Sequence, residues 1–195
     1  LYAIFVDSAS SLPAPFSAII LGRDTTLIYL GKAGDSLQQR LCEEELRHKR
    51  KATFFRSLGA VLGYRPPPGS LIGQKNQRNY SFSPADTAAI IAWIDAHLAV
   101  RWVALPKAET EAYERRLIPQ LRPLLNLKDN PARLAELKTL REECRRIAAG
   151  SSRRPVDAKQ LSGEVVKAVE GCVNSAGLTG KVQVEGAEDE SRVGG

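Results

Sequence analysis

Leu27-Ile28-Tyr29-Leu30-Gly31-Lys32 decides the fold: an apolar run ends on a glycine and is followed at once by a lysine. Gly22-Arg23-Asp24-Thr25 just before it has turn chemistry, so Leu27–Gly31 reads as a strand. A second run, Tyr2-Ala3-Ile4-Phe5-Val6, opens the chain; it is apolar on both faces and reads as a buried strand. The Asp7–Pro15 stretch between them is rich in Ser and Pro and is a loop, and Ser17–Leu21 reads as an extra strand.

Helices follow. Ser36 and Gln39 form a capping box that starts a helix running to about Arg50. Phe54, Phe55, Leu58, Val61 and Leu62 recur at helical spacing and stop at Gly63. Pro66-Pro67-Pro68-Gly69 opens a polar loop to Phe82, after which Ser83-Pro84-Ala85-Asp86 starts a helix with Ile90, Ile91, Ile94 and Leu98 on its buried stripe. Ala99–Leu105 is a short strand, and residues 107–121 are helical. Asn130-Pro131 caps a helix to about Ala149, with Leu134, Leu137, Cys144 and Ala148 on one side. Residues 156–173 form a last amphipathic helix, and the polar tail is disordered. The order strand, strand, helix, helix, helix, strand, helix predicts an α+β domain with a small antiparallel sheet.

At 195 residues the chain suits one domain with a real core. No apolar run approaches the roughly 20 residues of a membrane span. The net charge is +6, and it is unevenly placed: residues 151–195 hold 6 Lys/Arg against 7 Asp/Glu, so the first 150 carry all the excess. That favours an anionic partner such as nucleic acid. Cys42, Cys144 and Cys172 have neither metal-ligand nor disulfide-framework spacing, which points to a reducing, intracellular (cytoplasmic) setting. The chain has no methionine, and is read as a fragment or processed form that begins inside its first strand.

Tyr2, Tyr29-Leu30-Gly31-Lys32, Arg40, Glu114 and Asn126 stand in an order and structural placement that resembles the GIY-YIG nuclease family. That family cuts phosphodiester bonds with a bound divalent metal. The resemblance covers roughly residues 1–130 and implies a three-stranded antiparallel sheet with helices around it. A helical extension over 131–178 packs on that domain, and 179–195 is the tail. The motif here reads Tyr-Leu-Gly, no glycine precedes Leu1-Tyr2, and 26 residues separate the two tyrosines, consistent with the insert between the strands.

Glu114 is followed by Leu117, Ile118 and Leu121, so its carboxylate emerges from an apolar stripe. An unpaired buried carboxylate costs several kcal/mol, so either an Arg or a cation must neutralise it. The resemblance implies the cation, Mg²⁺ or Mn²⁺, with Glu114 as its ligand. Arg40 shares a helix face with Leu37, Leu41, Glu44 and His48. It either pairs with Glu44 or grips the scissile phosphate, whose oxygens its fork matches. Tyr2 and Tyr29 are strand residues of ordinary structural type, but they align with the two motif tyrosines. One phenol of the family helps activate the attacking water. With a free pKa near 10 it needs positive charge nearby, for which Lys32 and Arg40 are the natural sources. Either tyrosine could be that base. His48 is a secondary site residue or a surface residue, and Asn126 has a positional role on backbone groups.

From Arg47 through Ala85 there are eight Lys/Arg and no acid, interleaved with Phe54, Phe55, Tyr64, Tyr80 and Phe82. This reads either as a nucleic-acid surface carried by Lys49, Arg50, Lys51, Arg56, Arg65, Lys75 and Arg78, or as a solvated loop whose aromatics serve the core. Arg141 falls in the stripe of its helix and is expected to pair with an acid. These readings together predict a metal-dependent endonuclease acting on DNA, with a non-catalytic nucleic-acid-binding module as the alternative. A weaker rival is a protein-interaction domain that docks through its last helix.

Overall fold

In this computed structural model, residues 1–49 and 52–150 are described. The predicted last helix, the tail, Cys172, Arg50 and Lys51 lie outside the described residues. Three strands form one antiparallel sheet: β1 (Tyr2–Val6) lies between β2 (Leu27–Gly31) and β3 (Leu98–Trp102). Tyr2 faces Gly31 on one side and Trp102 on the other, and Ile4 faces Tyr29 and Val100. The small antiparallel sheet of an α+β fold is what the sequence predicts. All five residues of β2 are buried, whereas β1 alternates, with Tyr2, Ile4 and Val6 turned into the core.

The helices are α1 (Phe16–Gly22), α2 (Thr53–Val61), α3 (Pro84–His97), α4 (Lys107–Leu121) and α5 (Ala135–Ala148). Here α1 corrects the expected strand over Ser17–Leu21. A short apolar run does not distinguish the two states by itself, and the spacing of Phe16 and Ile20, both buried, is that of one helix turn. Ser83 caps α3 by accepting from Asp86 N–H at 3.1 Å, and α4 spans the residues expected of it. Asn130 does not cap α5, which starts after Leu134. Its side chain is buried, donates to Pro123 O and Asn126 O, and accepts from Ala132 N–H, so it fastens a turn.

The helix expected to run from Ser36 to Arg50 is a π-helix, Gln38–Glu45, followed by a turn. Ser36 Oγ does accept from Gln39 N–H at 3.2 Å, as a cap should. Beyond it the backbone widens, with Leu46 N–H donating to Leu41 O five residues back. Packed against α2 is α5, through Leu137, Cys144 and Ala148, all in the same core as the sheet. Among the described residues no helix is long and apolar enough to cross a membrane.

Candidate active site

The Tyr-Leu-Gly glycine has a structural reason. A Cβ on Gly31 would lie 2.5 Å from Tyr2 Cζ and Oη, so the Tyr2 ring lies directly across its cross-strand neighbour. Tyr29 is on the same sheet face two residues earlier, its ring centroid 6.4 Å from that of Tyr2 and 5.3 Å from that of Phe54. The chain then leaves β2 at Lys32, whose Nζ lies 3.4 Å from both Glu111 and Glu114 of α4. Lys107 at the start of α4 reaches back to Asp35 at 2.6 Å. These pairs hold α4 against the loop that follows the motif.

Glu114 is partly exposed, 20% of its side chain, and its negative charge acts on both phenols. Its direct contact is with Lys32, at 3.4 Å. Asn126 is buried, accepts from Leu30 N–H at 2.9 Å and donates to Leu30 O at 2.8 Å. It clamps the outer edge of β2 one residue before Gly31, in line with the backbone-holding role expected of it.

Arg40 donates to Glu44 at 2.8 Å and also to Glu45. The second pairing follows from the π-helix. With five residues to the hydrogen-bonded ring, position 45 comes beneath position 40, where an α-helix would turn it aside. Glu45 is fully buried and accepts from Phe54 N–H at 2.7 Å. Sequence reasoning passed over Glu45, although the signal was present: it follows Leu41 by four residues and continues the Leu37–Leu41 stripe.

Burial pushes both phenols well above their ordinary range, and the Glu45 carboxylate pushes the same way. Arg40 pulls both down without offsetting burial. Tyr2 Oη is buried without a hydrogen bond of good geometry. Burial likewise raises the Glu45 carboxyl, against the pull of Arg40 and the Phe54 N–H. The expectation that Lys32 and Arg40 supply enough positive charge for a phenolate is therefore not met by these side chains alone.

His48 stands apart from this cluster's hydrogen bonds. It has a left-handed backbone (φ 57°), its ring stacks on Phe55 with centroids 4.6 Å apart, and neither ring nitrogen has a hydrogen-bond partner. Burial, with the neighbouring Arg56 charge, pushes it down to about 4. The helical continuation that would align His48 with Arg40 is absent.

The basic stretch divides. Lys49 is exposed and 3.7 Å from Glu43, and Lys75 and Arg78 are exposed. Arg65 is half-buried, donating to Ala60 O, Tyr64 O and Glu143. Arg56 is a correction: only 4% exposed, it lies 5.8 Å from the Tyr80 ring centre and cannot be a surface contact. The reason is that α2 is buried on nearly all sides and has no solvent face to offer. Phe54, Phe55, Tyr80 and Phe82 are core residues, so the aromatic interleaving reflects packing. Arg141 pairs with no acid among the described residues; it donates to Thr53 O and to Ser57 Oγ at 2.6 Å.

No curated protein and no solved structure matches this chain. The model of the GIY-YIG catalytic domain matches residues 1–143, which takes in the whole sheet, both tyrosines, Arg40, Glu114 and most of α5. That match covers well over half of the chain and agrees with the three-stranded antiparallel sheet: the chain belongs to the GIY-YIG family of nucleases.

Proposed function

We propose that this chain is an endonuclease that hydrolyses phosphodiester bonds in DNA with a divalent cation, Mg²⁺ or Mn²⁺, held by Glu114. The observation that carries this reading is the set of contacts among motif residues: the Tyr2 and Tyr29 rings lie 6.4 Å apart on adjacent strands, Arg40 is held by Glu44 and Glu45, and Lys32 just after β2 lies 3.4 Å from Glu114 of α4. Membership of a nuclease family supports it.

The donor set fits a hard cation of modest demands. The described residues hold no group of three His, Cys, Asp or Glu that could hold a metal ion, and one partly exposed carboxylate serves an ion that completes its shell with water and substrate phosphate. When bound, such an ion supplies charge stabilisation of the departing oxygen and a positive field that favours phenolate. The chain's own groups do the rest. Arg40, fixed by Glu44 and Glu45, presents its fork to the scissile phosphate and stabilises charge that grows in the transition state. Glu114 would hold the cation, and Lys32, now 3.4 Å from it, would then offer its ammonium to the phosphate. Tyr2 or Tyr29 takes the proton from water once added positive charge outweighs burial and Glu45. The exposed Lys49 and Lys75, with Arg50 and Lys51, supply contacts to the DNA backbone. The free Cys42 and Cys144 thiols support a reducing, intracellular setting.

One observation favours the non-catalytic alternative. Lys32 already neutralises Glu114, and both phenols are raised, so the same side chains could bind DNA without turning it over. Cleavage of plasmid DNA with Mg²⁺ or Mn²⁺ against EDTA separates the two. Metal-stimulated nicking that Glu114→Gln and Arg40→Ala each abolish is the expected result. Salt-sensitive binding with no product under any metal would establish the alternative, and nicking that survives both substitutions would remove the site.

A further inference from the structure

Away from the tyrosines lies a second concentration of positive charge. A cleft of about 210 Å³ opens between α5 and the loop before α3, lined by Arg78, Tyr80, Lys138, Arg141, Glu142 and Arg145 together with Leu127. The α5 members recur at three, four and seven residues, which sets them on one helix face. Four cations face one acid, and that acid, Glu142, lies 3.9 Å from Lys138. The side chains of Arg78 and Arg145 have no ion-pair or hydrogen-bond partner among the described residues and are exposed.

Behind the cleft the charge is buried. Arg56 and Arg141 approach the same Tyr80 ring, at 5.8 and 5.9 Å from its centre, and neither meets a carboxylate in a salt bridge. Arg56 Nε and Nη1, Arg141 Nε and Tyr80 Oη are all buried without a hydrogen-bond partner. The buried Arg56, with two idle donors, beside the half-buried Arg141 is costly unless an anion answers the paired charge. Their mutual repulsion is felt: burial and the Arg141 charge push Arg56 down to about 10.

We infer that this cleft binds a phosphate group, with Arg141, Arg78 and Arg145 as its main ligands and Arg56 as the charge behind them. Three net positive charges exceed what a single carboxylate would neutralise, and planar forks match phosphate oxygens in pairs. The phosphate belongs to a nucleic-acid backbone or to a free phosphate ester. The site does not depend on hydrolysis at the tyrosine cluster.

Two measurements on the full chain, both in EDTA so that nothing is cut, test it. In the first, ³¹P line broadening follows inorganic phosphate against wild type and Arg78→Glu/Arg145→Glu. In the second, fluorescence anisotropy follows a labelled duplex against salt. The double variant changes exposed side chains only, and its melting curve checks that it folds. Loss of phosphate broadening with at least fivefold weaker duplex binding, and a salt slope smaller by about 2, identifies the backbone as the source. Loss of broadening with duplex binding unchanged identifies a free phosphate ester. A folded double variant that broadens inorganic phosphate as wild type does overturns the site, whatever its duplex binding.

Discussion

Tyr2 and Gly31 face each other across the central pair of strands so closely that the phenol occupies the place where a side chain at 31 would begin. The glycine therefore serves its neighbour's ring more than its own backbone. A Gly31→Ala change must displace either the Tyr2 ring or the strand. Overpacking of this kind costs about 1–3 kcal/mol. Urea denaturation should show that loss, and in a double-mutant cycle Tyr2→Ala should recover part of it. Additive costs would show that the ring and the glycine are independent.

Arg40 is held by an acid that only a widened helix can bring to it. Glu45→Ala takes the buried carboxylate away from Arg40, which keeps Glu44, and removes the acceptor of the Phe54 N–H; breaking a buried pair of this kind costs about 3–5 kcal/mol. Glu45→Gln keeps an acceptor for Phe54 and loses the charge. Equilibrium denaturation should rank the two, with Ala the worse. If Arg40 grips the phosphate, Glu45→Gln should still lower kcat/KM on the order of 10²-fold through misplacement of that fork.

His48 gives a pH signature. Its ring is neutral when folded down to about pH 4, held so by burial and by Arg56, while in the unfolded chain it takes a proton near pH 6.5. Between those values the unfolded state binds more protons, so stability falls as pH drops through this window and is constant above it. Melting temperatures from pH 8 to 4.5 should show that slope, and His48→Leu should flatten it. An unchanged slope in the variant would assign the effect elsewhere.

Asn126 satisfies both backbone groups of Leu30 from a single side chain. Asn126→Ala leaves a buried donor and a buried acceptor unpaired, at about 1–3 kcal/mol each. Asn126→Asp keeps the acceptor for the Leu30 N–H but sets a carboxylate against the Leu30 carbonyl, so it should recover none of the loss. Hydrogen exchange at Leu30 reads the change directly and should accelerate in both.

The strands and the motif residues were legible because they depend on local pattern: apolar runs, a stopping glycine, and an acid inside an apolar stripe at Glu114. What escaped depends on helix type and on burial from all sides. Glu45 was missed because a face drawn for an α-helix pairs Arg40 with Glu44 alone, whereas the π-helix offers both acids. Arg56 was read as surface because charge usually is, yet α2 is enclosed on nearly every side. Ser17–Leu21 was read as a strand from its apolar residues, although Phe16 and Ile20 carried the helical spacing. Arg141 was expected to find an acid and found a carbonyl and a hydroxyl, which left its charge for the cleft.

The clamp on β2 also closes one margin of the sheet. Leu125 and Asn126 occupy the hydrogen-bonding groups on that margin of the sheet, while β3 makes no hydrogen bond on its outer side among the described residues. A further strand could pair with β2 only by displacing the Asn126 side chain from Leu30 and the Leu125 N–H from Ile28.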